Sequence, residues 1–306
     1  MNKNVKGAIL ATVGGILWGL SGSVGQYLFD YEGMDSRWLV PVRMGASAVI
    51  LFVFCLSKYG KRTFEPWKTK KNAADLIFYG IFGISACQLL YYVTIQLSTA
   101  GAATILQDLA PIFILIFSCI VEKRGPRQLE IIAITLAMVG VFLITTHGQG
   151  MTSSIPMAAL IAGIGCSVSV MIYNVAPRRL LTQYSSTILQ SWAFLMGCFL
   201  FSIVFQIWNI NYIPSIKGLL GVAFIVVVDN VLAFTCYMEG VKLIGASKAV
   251  LYGFTEPITA ALVTYLFMSS PFTFWDGVGF ACVFLMLLLI SISDRKAEQQ
   301  NGSTNN

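Results

Sequence analysis

The chain's 306 residues are 57% hydrophobic and 11% charged, with a mean hydropathy of +0.76, against about 45–50% apolar and about 25% charged in soluble domains. Each membrane span takes about 20 apolar residues, so ten spans would use roughly two thirds of the chain and leave no room for a soluble catalytic domain. Composition therefore excludes a cytosolic enzyme, a nucleic-acid binder and a secreted disulfide scaffold, and the net charge of +6 has to be read by where the charges fall.

Apolar runs bounded by polar or turn residues predict ten spans. The first, Val5 to Phe29, sets Gly7, Ala11, Gly15, Gly19 and Ser23 four residues apart on one helix face. Such a small-residue stripe lets transmembrane backbones approach closely. No short apolar region with a small-residue cleavage site is present, so this span is expected to stay in the protein. The next four are Trp38 to Ser57, Ala73 to Leu97, Thr99 to Val121 after a very short turn, and Leu129 to Thr146. The second half gives Ile155 to Ala176, Tyr184 to Ile207, Ile216 to Val241, Ile244 to Met268 and Phe274 to Ile292. Small residues recur at Ala159, Gly163 and Ser167 and at Ala249, Gly253, Pro257 and Ala261. Residues 294–306 are polar and are expected to form a disordered cytoplasmic tail.

With a cytoplasmic N-terminus, all 20 basic residues except Arg37, Lys217 and the intramembrane Arg43 fall on the cytoplasmic side. That asymmetry is the positive-inside pattern, and an odd or missed helix would scramble it. Both termini are therefore expected in the cytoplasm. The seven cysteines all lie within spans and form no CxxC pair, so they read as small buried apolar residues, neither disulfides nor metal ligands. Trp38, Trp67, Trp208 and Trp275 near span ends read as interface anchors. His147, the single histidine, reads as a solvated helix-end residue.

Displacing the chain by 146 residues aligns Tyr91 with Tyr237, Leu97 with Leu243, Ala100 with Ala246, Ala103 with Ala249, Pro111 with Pro257 and Ile112 with Ile258. Each half holds five spans, and an odd number forces the second copy to insert upside down, an architecture common in secondary transporters. The predicted fold is thus an all-α polytopic membrane protein of ten transmembrane helices in two inverted five-helix repeats, residues 1–147 and 154–293. Pro111 and Pro257 each free a backbone carbonyl within a span and are candidates for hinges or simple kinks.

Charges inside a bilayer are costly, about 2.5–3.5 kcal/mol for Arg or Asp on insertion scales, and usually face a cavity. Arg43 offers a planar fork for a substrate carboxylate, or else snorkels or makes a structural pair. Asp108, beside Gln107, could take a proton or pair with an amino group; the alternative is an ion pair with Arg43. Asp229 and Asn230 form a similar polar pair, and Glu256 before Pro257 either caps a broken helix or neighbours the substrate. Glu239, Lys242 and Lys248, near cytoplasmic ends, read as solvated. Trp18, Gln88, Tyr91, Tyr92, Tyr173, Asn174 and Tyr237 combine apolar surface with hydrogen-bonding tips and complete the expected cavity for an amphipathic metabolite.

Trp18-Gly19, Arg43, Ala102-Ala103 leading to Pro111, Glu122-Lys123-Arg124 and Glu256-Pro257 resemble, in order and spacing, the EamA branch of the drug/metabolite transporter superfamily. Thr104-Ile105-Leu106-Gln107, Thr146-His147-Gly148 and Glu256-Pro257 are similar to its YicL-like bacterial inner-membrane members. The resemblance implies a basket of two inverted repeats that moves small metabolites, often amino acids outward, across the cytoplasmic membrane. Glu122 has no acidic counterpart in the second copy, which reads Met268-Ser269-Ser270-Pro271, and is expected to pair with Lys123, Arg124 or Arg127. The expected partners are a small metabolite and the lipid bilayer, with proton coupling open, no cofactor, no metal and no nucleic acid. Multidrug or cation efflux is the alternative substrate range. An intramembrane enzyme is the rival class, but HExxH, GxSxG, P-loop and GxGxxG patterns are all missing from the sequence.

Overall fold

The computed structural model describes residues 2–146, 148, 156–267, 273–275, 277–286 and 288–289. His147 and the polar tail lie outside these residues, as does the Met268–Pro271 stretch. In a bilayer every backbone polar group must be satisfied internally, so apolar runs of this length fold as helices. No strand occurs among the described residues. The helices are α1 Lys3–Asp30, α2 Ser36–Tyr59, α3 Lys70–Leu97, α4 Ala100–Glu122 and α5 Gln128–Thr146 in the first half. The second half holds α6 Met157–Val175, α7 Ser186–Phe205, α8 Ile216–Ile244, α9 in two pieces Ala246–Gly253 and Thr255–Phe267, and α10 Gly277–Met286. Seven helical stretches are long and apolar enough to cross a membrane, and α5 and α10 add shorter apolar helices.

The helices alternate in direction, as their end contacts show. On the N-terminal face, Asn72 Nδ2 at the start of α3 donates to Tyr184 Oη at 2.8 Å, and Tyr59 Oη at the end of α2 lies 3.1 Å from Ser185 Oγ before α7. On the opposite face, the Ala100 amide that opens α4 donates to Gln26 Oε1 of α1 at 3.1 Å, and Tyr212 Oη before α8 donates to the Glu32 carbonyl at 2.9 Å. The short turn expected between the third and fourth spans is Ser98-Thr99, with Thr99 Oγ1 accepting from the Ala102 amide at 3.1 Å as a helix cap. Its counterpart 146 residues later is Gly245, at φ +82°, a backbone region that glycine enters without steric cost.

The repeat is written into the backbone as well as the sequence. A π-helical stretch interrupts α3 at Tyr79–Ser85 and another interrupts α8 at Ile225–Ala233; both begin at positions 146 residues apart. The helical ladder of α4 breaks at Asp108-Leu109 and that of α9 at Phe254, again at the same displacement. Packing follows the same two-fold logic: α1 lies on α8 and α9, α6 lies on α3 and α4, α2 packs on α7 and α5 on α10.

One expectation changes here. Pro111 and Pro257 do not bend continuous helices, because each sits in the first turn of a helix that has just restarted after the break. Proline is tolerated there, since its missing N–H would be unpaired anyway. The small-residue face of α1 packs as its stripe predicts, with Gly7, Ala11, Gly15 and Gly19 lying against α8 or α9. A Cβ on Gly7, Gly14 or Gly15 would meet Leu243 and Ile244, Tyr237 and the Ala233 carbonyl, or Thr255 and the Gly253 carbonyl, whereas one on Gly22 would meet nothing within 4 Å. The two faces of the helix differ: the stripe face stays against α8 and α9 as far as Gly19, where a Cβ would meet the Glu256 carbonyl, and fully buried Leu28 packs beside Gly221, whereas the face that carries Gly22 is open.

Candidate functional site

Along the open face of α1 lies a cavity of about 480 Å³. It runs from Tyr27, Asp30 and Tyr31 at the end of α1 and the Thr99–Gly101 turn down to Trp18, Tyr91 and Glu256. At its floor are two smaller spaces. One, of about 50 Å³, is bordered by Arg43, Gln88, Tyr92, Gln107 and Asp229; the other, of about 30 Å³, by Asp108, Pro111, Tyr237 and Gly253. Trp18 and Glu256 border all three, and Gln107 and Tyr173 border both floor spaces.

Arg43 is 1% exposed. Its Nη2 forms an ion pair with Asp229 Oδ2 at 2.9 Å and donates to Asn230 Oδ1 at 2.7 Å and to Gln88 Oε1. The guanidinium carbon sits 4.1 Å from the centre of the Tyr92 ring, a cation–π contact. Asn230 Nδ2 in turn donates to Ser47 Oγ at 2.9 Å, which donates to the Arg43 carbonyl at 2.6 Å. The wide turns of the π-helical stretch let the consecutive residues Asp229 and Asn230 both reach the same guanidinium, and π-bulges recur at such functional positions. Arg43 is thus locked in a structural pair with Asp229 of the other half, not with Asp108. Its Nε and Nη1 have no hydrogen-bond partner among the described residues.

Asp108 lies at the α4 break, with a buried Oδ2 that has no hydrogen-bond partner. Glu256 lies two residues past the α9 break and has no salt bridge among the described residues. Ionised carboxylates are costly in a membrane interior, and these two, both half-buried, border the same small space without a cationic partner there. Around them Trp18, Tyr173, Phe234 and Tyr237 form an aromatic cluster, with Trp18 centred 4.9 Å from Tyr237 and 5.3 Å from Phe234. Tyr91 points its hydroxyl to Thr104 Oγ1 at 3.3 Å.

Two of the expected lining residues turn inward to the protein. Asn174 is fully buried, donating to the Val170 carbonyl and accepting from Tyr237 Oη, each at 2.9 Å. Asn230 is fully buried in the Arg43 network. Neither borders the cavity; both spend their amides holding residues that do. Glu122 pairs with Arg124, which also bridges to Glu130 at 2.7 Å, as the missing repeat counterpart suggested. Sequence reasoning missed Phe234 and Cys87, which border the floor, and Ser47, which braces it. Ordinary apolar and small residues carry no chemical signal until the helices are assembled. No group of three or more His, Cys, Asp or Glu residues suited to a metal occurs among the described residues.

The sequence matches the family model described as the EamA-like transporter family twice, over residues 5–146 and 157–292. It is 30% identical over 296 residues to the uncharacterized inner membrane transporter YicL of Salmonella typhimurium, covering 97% of this chain and 98% of that one. It is 27% identical over 154 residues to the threonine/homoserine exporter RhtA of Salmonella typhimurium, covering 49% of this chain and 46% of that one. A solved crystal structure 15% identical in sequence superposes with a TM-score of 0.76 over 95% of this chain and 98% of the other. One family model laid once over each half, a relative matched end to end, and a shared fold leave a single assignment: the chain belongs to the EamA-like transporter family.

Proposed function

We propose that the protein is a secondary transporter that exports amino acids or related small metabolites across the bacterial cytoplasmic membrane by alternating access. The observation that carries the reading is the central cavity. It lies between the two halves, at the level of the paired helix breaks, and leads to the face opposite the N-terminus while the N-terminal half of α1 is sealed. Substrate sites at repeat interfaces beside broken helices are the recurrent transporter arrangement. The partial likeness to a threonine/homoserine exporter supports an amino-acid-sized solute, and the name of the full-length relative supports the inner membrane.

In this reading residues 1–147 and 154–293 are the two moving repeats, and both termini face the cytoplasm, where the basic residues concentrate. Trp18, Gln88, Tyr91, Gln107, Asp108, Tyr173, Tyr237 and Glu256 contact the solute. Arg43, Asp229, Asn230 and Asn174 hold the floor in shape, and the breaks preceding Pro111 and Pro257 absorb the conformational change. Untargeted comparison of metabolites in medium and cytosol tests this. Overexpressing cells should enrich at least one amino acid or relative in the medium and deletion cells should retain it. No shift of any solute in either strain would contradict the proposal.

A further inference from the structure

The charges bordering the cavity are one-sided. Asp30, Asp108, Asp229 and Glu256 line it or its floor, against Arg43 as the one basic residue on those walls. Arg43 is already matched by Asp229 at 2.9 Å. The large cavity itself is lined by two acids and no base, although the chain as a whole carries +6. Asp108 and Glu256 border the same floor space, neither has a cationic partner there, and Trp18, Tyr173 and Tyr237 stand beside them. Aromatic faces attract cations, and a low-dielectric cleft of one sign concentrates solutes of the other.

From this juxtaposition we infer that the solute is recognised through a protonated amine, held between Asp108 and Glu256 against the aromatic cluster. Arg43, the one cation bordering the floor, is already paired with Asp229, so a solute carboxylate is secondary to recognition. The inference rests on the transporter reading and narrows it: the solute class is primary amines and amino compounds, whereas amine-free acids and neutral sugars are excluded.

The test uses the purified full-length protein in liposomes. Flux is measured for the common amino acids, and each one carried is compared with its carboxamide, which keeps the amine, and its N-acetyl derivative, which removes the amine charge. The carboxamide is expected within about threefold of the parent and the N-acetyl compound at least about tenfold below it, because a site built around one polar group rejects analogues lacking it. Glu256→Gln and Asp108→Asn, each checked for monodispersity, should each lower amine flux at least about tenfold. N-acetyl flux equal to the parent, or full flux in both well-folded variants, overturns the amine reading and leaves transport standing. Absence of flux for every amino acid and for a broad panel of acids and sugars overturns the transporter reading itself, and this inference with it.

Discussion

At the scale of single residues, Arg43 and Asp229 show how a polar network is held in a membrane interior. One guanidinium edge gathers an aspartate, an asparagine and a glutamine from two other helices while the ring of Tyr92 covers the plane. Removing one member of a buried pair leaves an uncompensated charge, at about 3–5 kcal/mol. Arg43→Gln and Asp229→Asn alone should therefore each destabilise the protein strongly, and the double variant should recover much of the loss. Thermal unfolding of the four proteins in detergent reads that coupling, and additive losses would show that the pair does not interact. From sequence, Arg43 was identifiable as an intramembrane charge because hydropathy isolates it. Its partner was not, because residues 43 and 229 are brought together only by packing one repeat on the other. Asn174 looked like a cavity residue for the same reason: polarity in a span shows that a group must be satisfied, not whether solute or protein satisfies it.

At the scale of elements, α1 carries the clearest contrast. Adding a methyl group at Gly15 would press on Thr255 and on the backbone of α9, whereas Gly22 has open space. Overpacking costs about 1–3 kcal/mol, while replacing an unhindered helical glycine by alanine gains up to about 1 kcal/mol. Gly15→Ala should lower the unfolding temperature and Gly22→Ala should hold or raise it; equal effects would contradict the division of the helix into a packed and an open face.

Helix α2 is started by Asp35, whose Oδ1 accepts from the Arg37 amide at 2.8 Å. The Arg37 guanidinium, followed by that backbone N–H, holds the Asp35 carboxyl below its usual pKa range despite partial burial. A lowered folded-state pKa means the stabilisation is complete above the unfolded value of about 3.9 and is lost as pH falls through the folded one. Asp35→Ala should cost about 1 kcal/mol at neutral pH, with the difference from wild type shrinking below about pH 4; a gap unchanged down to pH 2 would refute the cap.

Among the described residues the helix ends were legible to within a few residues, because hydropathy and turn residues mark where helices leave the membrane. The π-helical stretches and the breaks at 108–109 and 254 were not, since they record where neighbouring helices and buried polar groups compete with the ordinary ladder. The prolines at 111 and 257 pointed to the right neighbourhood, but the backbone departs from helix just before them.

At the scale of the whole molecule, the 146-residue displacement seen in a handful of side chains also governs backbone distortions and interhelical packing. Each half supplies one acid next to its own break, and the two acids border one space where the halves meet. The charges divide along the same axis: basic residues crowd the N-terminal face and acids line the cavity leading to the other. If that cavity faces outward, Ser23→Cys in a cysteine-free background should react with a membrane-impermeant maleimide added to intact cells, and Lys3→Cys only after permeabilisation. The reverse pattern would invert the proposed orientation.

The central claim is that solute passes through this cavity. The most direct measurement is flux of amino acids out of liposomes containing the purified wild-type protein, set beside the Asp108→Asn/Glu256→Gln double variant at matched incorporation. The account predicts protein-dependent efflux of at least one amino acid by the wild type and a return to the rate of protein-free vesicles in the double variant; undiminished flux through the well-folded variant would contradict it.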